Sequence, residues 1–302
     1  MTPIALILVI ASTFAHAFWN YLGKRRSPSA AFFLTASLAV TVFLSPLLVI
    51  YHRAIAHIPA PVWALLVATG ACQAIYYAGL AGAYRFGDLS VAYPLARALP
   101  ALLVTLASVV LGLGKPITAV GYAGILIVVA GCLLIPQPGF RGLRISHYWN
   151  LCCALALLAA CGTTGYTIID SEALRILRAT PALNMTHLEI AVLFMLFETA
   201  MTAAWLGVYL LFSASERAAF REVRRNGWRY AAVTGLIITA TYGLVLAAMA
   251  YVTNVSYLAA FRELSIPLGA MLGVTLQKEP APAPKITGIG VVLVGLLLVG
   301  LA

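Results

Sequence analysis

The sequence predicts an all-α membrane protein in which ten transmembrane helices form two inverted five-helix repeats. Three observations support this fold class: the composition, the spacing of the apolar runs and a similarity between the two halves of the chain. Of the 302 residues, 63% are hydrophobic and only 9% are charged, whereas a typical soluble domain has roughly 25% charged residues. Charge this sparse cannot cover a water-exposed surface, and hydrophobicity this high excludes an intrinsically disordered chain.

Ten apolar runs have the length that a helix needs to cross a bilayer, which is about 20 residues. They lie near residues 3–22, 30–51, 62–84, 89–112, 117–136, 148–170, 186–212, 229–251, 253–276 and 286–302. Helices are expected rather than strands, because the runs lack the alternation of a barrel strand and a helix satisfies its own backbone in lipid. Ala15-His16-Ala17 resembles a signal-peptide cleavage site, but no basic residues precede it, so the first run is expected to be a membrane span.

The formal charge of +10 comes from 19 lysines and arginines against 9 acidic residues. Counted loop by loop, thirteen of the basic residues fall on one side of the membrane and four on the other. The richer side is expected to be cytoplasmic. We therefore predict a protein of the cell membrane with both termini on the outer face. The basic charge is interpreted as an orientation signal, and not as a nucleic-acid-binding surface.

The two halves of the chain resemble each other at an offset of 164 residues. The matched positions are Gly124 and Gly288, Gly131 and Gly295, Val91-Ala92-Tyr93 and Val255-Ser256-Tyr257, and, after a one-residue slip, Arg97 and Arg262. Residues 1–146 and residues 147–302 each hold five spans, and an odd number makes the two copies cross the bilayer in opposite directions. Inverted repeats are typical of secondary transporters, whose substrate site lies near the midplane between the halves.

These features resemble the ten-helix EamA-like branch of the drug/metabolite transporter superfamily, over nearly the whole chain. The most specific motifs are Glu279-Pro280 with Ile286-Thr287 before the last span, His16-Ala17-Phe18-Trp19-Asn20 in the first span and Tyr166-Thr167-Ile168-Ile169-Asp170 in the sixth. The first repeat departs from the family pattern, because Lys115 stands where an acid is usual. The resemblance implies transport of a small metabolite, but it does not name the cargo.

Arg97 and Arg262 each lie about nine residues into a span. A charge near the middle of a bilayer costs at least ~2.5–3.5 kcal/mol on insertion scales, so it must face a cavity or a partner. Guanidinium groups bind carboxylates and phosphates through two parallel hydrogen bonds. The repeat places both arginines at one central space, where we expect them to bind an anionic or carboxylate-bearing solute. The alternative is internal neutralisation, in which Glu263 pairs with Arg97.

Three titratable residues are candidates for the coupling proton or cation. A polar stripe with four-residue spacing runs along the first span: Ser12, His16, Asn20 and Lys24. This stripe is expected to face the cavity, with Asn20 as a substrate contact and His16 as a proton carrier. Glu198 lies in the middle of the seventh span, and Asp170 lies near the end of the sixth. The alternatives are a neutral hydrogen-bonded histidine, a structural partner for Glu198 and a simple helix end at Asp170.

Four tyrosines are further candidates for substrate contact. Tyr77 lies in the third span on the same face as Gln73, Tyr242 lies in the eighth span, and Tyr93 and Tyr257 are repeat mates. Such rings could stack on a planar solute, although packing and interfacial roles are more common for membrane tyrosines.

Prolines beside the two arginines are expected to interrupt the fourth and ninth spans. They are Pro94, Pro100 and Pro267. Each removes a helix hydrogen bond and frees a carbonyl for other partners. The recurring glycines of the fifth and tenth spans are expected to be close-packed seams between helices.

The leading functional hypothesis is a secondary active transporter that moves a small polar metabolite, anionic or zwitterionic, by alternating access. Proton coupling or exchange would drive it. The alternative is a flippase for a lipid-linked anionic head group, which would use the same two arginines. Enzyme activity and direct use of ATP are not expected, because the sequence has no zinc-protease motif and no P-loop.

The expected partners are a small-molecule solute and the lipid bilayer, with no nucleic acid, and the protein is expected to be a monomer or a homodimer. No cofactor and no metal are expected. The five cysteines lie inside apolar runs, at spacings that match no metal site and no disulfide framework.

Overall fold

The computed structural model describes residues 2–23, 29–86, 89–135, 137, 139–140, 150–276 and 280–302. Side chains are described for all of these except 17–23, 84, 89–95, 97, 272–273 and 276. Within these ranges the protein is helical and contains no strand.

The helices are α1 (Pro3–Gly23), α2 (Ala30–Leu44), α3 (Pro46–Ile50), α4 (His52–Ile55), α5 (Ala60–Phe86), α6 (Leu89–Val110), α7 (Ala119–Leu134), α8 (Leu151–Arg178), α9 (His187–Phe212), α10 (Ala214–Glu222), α11 (Trp228–Ala248), α12 (Val255–Arg262), α13 (Ser265–Leu276) and α14 (Ala283–Leu301). Short 3₁₀ turns at Pro181–Leu183 and Met249–Tyr251, and a π-helical turn at Val223–Gly227, connect some of them.

Six helical segments of the described chain are long and apolar enough to cross a membrane. They are Ala30–Ile50, Ala60–Ala83, Leu151–Arg178, His187–Phe212, Ala214–Tyr251 and Ala283–Leu301. The shorter helices Pro3–His16, Ala98–Val110 and Ala119–Leu134 are also apolar. Large apolar side chains are exposed on the outside of the bundle, for example Val42 at 71% and Phe212 at 85%. Such a surface suits lipid better than water.

Local sequence signals explain where several helices begin and end. Ser29 caps α2, because its side chain accepts a hydrogen bond from the backbone N–H of Phe32 at 3.1 Å. Pro46 follows the end of α2 and starts α3 at a first-turn position, where its missing N–H is not needed. Thr186 and Glu189 form a reciprocal capping box at the start of α9.

The ninth predicted span is broken in the middle, and the fourth is not. α12 ends at Arg262 and α13 begins at Ser265. Pro267 explains the break, because its ring clashes with the carbonyl four residues earlier, which belongs to Glu263. That carbonyl instead accepts from the N–H of Ile266 at 2.9 Å, in a tighter turn. In contrast, α6 continues as one helix past its two prolines, so the interruption expected there is absent.

α7 and α14 pack antiparallel through pairs of glycines. A Cβ atom on Gly124 would lie 2.9 Å from the carbonyl oxygen of Gly295, and one on Gly131 would lie 2.9 Å from that of Gly288. The helices are antiparallel, because the residue numbers at successive contacts rise along α7 as they fall along α14. Only glycine allows the two backbones to approach this closely.

A second pair of close approaches joins α5 to α9 and α11 to α2. A Cβ atom on Gly70 would lie 2.7 Å from the backbone of Met201, and one on Gly235 would lie 2.7 Å from the carbonyl oxygen of Ala36. Gly70 and Gly235 are 165 positions apart, as are Ala36 and Met201. The two contacts therefore lie at positions that the predicted repeat relates to each other.

The buried apolar side chains form two clusters. The large cluster includes Leu66, Leu174, Phe194 and Leu246. The small cluster includes Leu80, Ala159, Leu206 and Ala231. In each of α5, α8, α9 and α11, residues of the large cluster occupy one end of the helix and residues of the small cluster occupy the other.

Candidate functional site

Buried polar side chains lie where the large cluster gives way to the small cluster. They include Thr69 on α5, Thr167 on α8, Glu198 on α9 and Thr241 on α11. A polar layer inside an apolar bundle is costly unless its groups are hydrogen-bonded or serve a site. This polar layer is therefore a candidate functional site.

The polar layer surrounds a chamber of about 70 Å³. Since a water molecule needs roughly 10–15 Å³ of such space, the chamber holds a few waters or a small solute. Its wall is formed by α1, α2, α5, α8, α9, α11 and α12. Five of the predicted site residues lie on this wall: His16, Tyr77, Glu198, Tyr242 and Arg262.

Asp170 is completely buried in the middle of α8, beside the chamber. The sequence left open that Asp170 marks the end of its span, but α8 continues to Arg178. The hydroxyl of Thr69 donates to Asp170 Oδ1 at 2.5 Å, and the hydroxyl of Tyr242 donates to Oδ2 at 2.6 Å. Each carboxyl oxygen therefore has one donor, from α5 and from α11.

Glu198 is 1% exposed and lines the chamber. Its Oε1 accepts a hydrogen bond from the side-chain amide of Gln73, whereas its Oε2 is buried and has no hydrogen-bond partner among the described residues. The carboxyl groups of Asp170 and Glu198 lie within electrostatic range of each other and of Arg262. The site thus combines two acidic groups with a guanidinium.

Arg262 is the last residue of α12, at the break in the ninth predicted span. A cation is favoured at the carboxyl end of a helix by the helix dipole. Its guanidinium carbon lies 5.4 Å from the centre of the Tyr242 ring. One of its nitrogens, Nη2, donates to the hydroxyl of Tyr166 at 3.4 Å.

Five aromatic rings form a continuous arc along the chamber wall, which ends at Arg262. The rings of Phe33 and Tyr77 are stacked with their centres 4.2 Å apart, and Tyr77 contacts Tyr76 at 5.1 Å. Tyr76 contacts Tyr166 at 5.9 Å, and Tyr166 contacts Tyr242 at 5.4 Å. We call this set the aromatic arc. Tyr77 and Tyr242 thus belong to one structure, which the sequence did not indicate.

Other predicted site residues lie off the chamber wall or outside the described side chains. Tyr257 is buried beside α7, where its hydroxyl accepts from the N–H of Thr118 at 3.3 Å. Glu263 is 4% exposed and lies in the break after α12. The side chains of Arg97, Tyr93 and Asn20 lie outside the described residues. The predicted solute contact of Arg97 and the alternative, its pairing with Glu263, therefore both remain predictions.

Several wall residues were not predicted from the sequence, although the predicted repeat relates them in pairs. At the offset of 165 that relates Arg97 to Arg262, Tyr77 also matches Tyr242. The same offset relates four further pairs on the chamber wall: Phe33 with Glu198, Ser37 with Thr202, Gln73 with Ile238 and Tyr76 with Thr241. The wall therefore includes matched positions of the two halves. Among these pairs the only carboxyl group is that of Glu198, in the second half.

No metal site accompanies the chamber in the described part of the chain, because no three histidine, cysteine, aspartate or glutamate side chains come together there. All five cysteines are free thiols.

Comparison with known proteins identifies a fold and no activity. No family model matches the chain, and no curated protein matches it. A solved crystal structure that is described only as that of a protein superimposes with a TM-score of 0.65. The two sequences are 15% identical, and the match covers 98% of each chain. At this identity the likeness shows a shared fold alone.

Proposed function

We propose that the protein is a secondary active transporter, which moves a small polar solute with an anionic group through the central chamber by alternating access. The observation that carries the proposal is the chamber itself. A guanidinium and a carboxyl group line a small cavity between two apolar clusters, in an all-helical bundle with an apolar surface. A second carboxyl group, that of Asp170, is buried next to the wall residue Tyr242. Buried charge at membrane depth is maintained where it serves a solute or ion pathway.

The proposal includes ten spans in two inverted five-helix halves. α7 and α14, the last helices of the two halves, are repeat mates and pack antiparallel. The contact of α5 with α9 and the contact of α11 with α2 are related in the same way. At the offset of 165 residues α5 corresponds to α11 and α2 corresponds to α9, so exchanging the halves converts one contact into the other. Both features are expected if the halves cross the bilayer in opposite directions. The family proposed is the EamA-like branch of the drug/metabolite transporters, on the sequence motifs of the first, sixth and tenth spans.

Arg262 is the proposed anion-binding residue. It lines the chamber at a broken helix, and unwound segments at the substrate site are common in transporters with inverted repeats. His16, Glu198 and Asp170 are the groups proposed to carry a coupling proton, if transport is proton-driven and does not proceed by exchange.

The two apolar clusters are proposed to close the chamber on its two sides in turn. At the end formed by the large cluster, the side-chain amide of Asn254 donates to the carbonyls of Leu113 at 3.1 Å and Lys115 at 3.0 Å. These bonds join the connection between α6 and α7 to the start of α12. Opening on that side would have to break them.

The proposal is tested by uptake of labelled small metabolites into liposomes that contain the purified protein. We expect saturable uptake of a solute with a carboxylate or phosphate group, and its loss in Arg262→Ala. Arg175→Ala is the matched control, because Arg175 is an exposed guanidinium that pairs with Glu172 three residues away. Uptake that is equal in both variants would contradict the role of Arg262. A strict requirement for a lipid-linked solute would instead indicate a flippase.

A further inference from the structure

The connection between α9 and α11 is a short helical segment with one half-buried face. It consists of α10 and the π-helical turn that follows it, Val223–Gly227. Between positions 214 and 226 the partly buried residues are Glu216, Ala219, Phe220 and Val223, and the others are exposed. Spacings of three and four residues place these four side chains on one face of a helix. The segment is therefore amphipathic.

The half-buried face holds the connection against the end of the bundle that the small cluster forms. Ala219, Phe220 and Val223 pack against the small cluster. The carboxylate of Glu216 accepts a hydrogen bond from the backbone N–H of Ala31, in the first turn of α2, at 3.0 Å. Because these contacts fix one face to the bundle, the remaining side chains of the connection point away from it.

Four arginines share the exposed side of the connection. They are Arg217, Arg221, Arg224 and Arg225, and all four are exposed. Counted from the first, they lie four, seven and eight residues further along the chain, which is the spacing of a single helix face. We call this set the arginine stripe.

No carboxylate neutralises the arginine stripe in the part of the chain that the structure describes. The salt bridge described there joins Arg175 to Glu172, on α8. The two acidic residues of the connection have other partners, since Glu216 is bonded to α2 and Glu222 accepts from the side-chain amide of Asn226 at 2.6 Å. The positive charge of the stripe is therefore available to an anion outside the protein.

The arginine stripe lies between the ends of two apolar helices, α9 and α11, at the depth expected for lipid head groups. Phe212, the last residue of α9, is 85% exposed, and Trp228, the first residue of α11, is 51% exposed. Tryptophan favours the boundary between the hydrocarbon and the head groups of a bilayer. The guanidinium carbon of Arg229 lies 5.5 Å from the centre of the Trp228 ring, so further basic charge adjoins this aromatic side chain.

We propose that the arginine stripe binds the phosphate groups of anionic phospholipids, in the leaflet that adjoins the small cluster. Guanidinium groups bind phosphates through paired hydrogen bonds, and basic residues on an amphipathic helix at a membrane surface attract anionic lipids. This inference goes beyond the proposed transport of a solute. It depends on the position of the protein in a membrane and not on what the chamber binds.

The test uses the full-length protein in bilayers in which brominated phosphatidylglycerol or brominated phosphatidylcholine replaces part of the unlabelled phosphatidylcholine. Bromine quenches tryptophan fluorescence at short range, so quenching of Trp228 reports lipid bound beside the stripe. The contribution of Trp228 is obtained by difference from Trp228→Phe. We expect phosphatidylglycerol to bind here at least about fivefold more tightly than phosphatidylcholine, the factor that one basic residue contributes at an anionic membrane surface.

The deciding variant combines Arg221→Gln, Arg224→Gln and Arg225→Gln. Arg217 is retained, because its guanidinium donates to the carbonyls of Leu210 at 3.1 Å and Leu211 at 2.5 Å, at the end of α9. The variant should bind the two lipids equally. It should also unfold at the same temperature as the native chain in detergent without anionic lipid, because the three side chains are exposed.

The control removes the same number of charges elsewhere on the surface. It combines Arg53→Gln, Lys115→Gln and Arg175→Gln, which are exposed and lie outside the connection. This control should keep the preference for phosphatidylglycerol at Trp228. A second measurement needs no substitution, because raising the salt concentration from about 0.1 M to about 1 M shortens the Debye length from about 10 Å to about 3 Å. The preference of the native chain should fall accordingly.

Four results would overturn the lipid site. They are equal binding of the two lipids by the native chain, a preference that survives in the arginine variant, an equal loss of preference in the control, and a preference that does not change with salt. Competition by inorganic phosphate at the concentration of the lipid phosphate would also overturn it, because the stripe would then be a general anion site.

Discussion

At the scale of single residues, the chamber shows how an apolar helical bundle accommodates buried acidic groups. Asp170 is fully buried, yet each of its oxygens accepts a hydrogen bond from a different neighbouring helix. Through these hydrogen bonds, Thr69 connects α5 to α8 and Tyr242 connects α11 to α8. Glu198 Oε1 has one such donor, the side-chain amide of Gln73, and the Glu198 carboxyl group lies close to that of Asp170.

Removing one donor from Asp170 is expected to destabilise the protein. In Thr69→Val the side chain keeps its shape but Oδ1 loses its donor, which should cost about 1–3 kcal/mol of unfolding free energy. Thr275→Val is the control, because the hydroxyl of Thr275 is exposed and bonds within its own helix. Unfolding in denaturing detergent measures both. Equal stability of the two variants would show that water replaces the missing donor.

At the scale of helices, close approach at glycine determines which faces meet. α7 and α14 pack through Gly124 and Gly131 against Gly295 and Gly288, where a Cβ on any of the four would lie under 3.0 Å from the opposite backbone. The break between α12 and α13 has an equally local cause in Pro267. The glycine seam holds α14 against α7, and the break between α12 and α13 places Arg262 at the chamber wall.

A single methyl group in this seam should be enough to separate the two helices. Gly131→Ala would place a Cβ 2.7 Å from the backbone nitrogen of Val292, and overpacking of this kind costs about 1–3 kcal/mol. Gly290→Ala on α14 is the control, because a Cβ there meets nothing within 4 Å. Alanine favours a helix over glycine by roughly 1 kcal/mol, so the control should be neutral or more stable. If Gly131→Ala unfolds at the same detergent concentration as the control, the seam is looser than described.

At the scale of the whole molecule, a polar layer between two apolar clusters is the feature from which the proposed function follows. The layer draws on both halves of the chain, through positions that the offset of 165 relates in pairs. The acidic groups belong to the second half, whereas Thr69 and Gln73, which donate to them, belong to the first. A movement of one half against the other would therefore act directly on the site.

Much of this layer could be predicted from the sequence, and the remainder could not, for physical reasons. A charge at mid-span must face the interior, and the sequence alone therefore singles out Arg262 and Glu198. Thr69 and Tyr166 carry no such signal, because a threonine or tyrosine is tolerated on any face of a membrane helix. Whether they meet Asp170 or Arg262 depends on the rotation of each helix about its axis. Tyr257, a repeat mate of Tyr93, shows the reverse case, since it lies against α7 and away from the chamber.

The most direct test of the central claim, two oppositely oriented halves around one chamber, is the sidedness of repeat-related loops in intact cells. Lys115→Cys and Pro280→Cys, in a background with the five native cysteines replaced, place one thiol in each of two equivalent loops. A membrane-impermeant maleimide should label Lys115→Cys from outside, and Pro280→Cys only after the membrane is permeabilised. Labelling of both positions from the same side would show that the halves run in the same direction and would contradict the inverted arrangement.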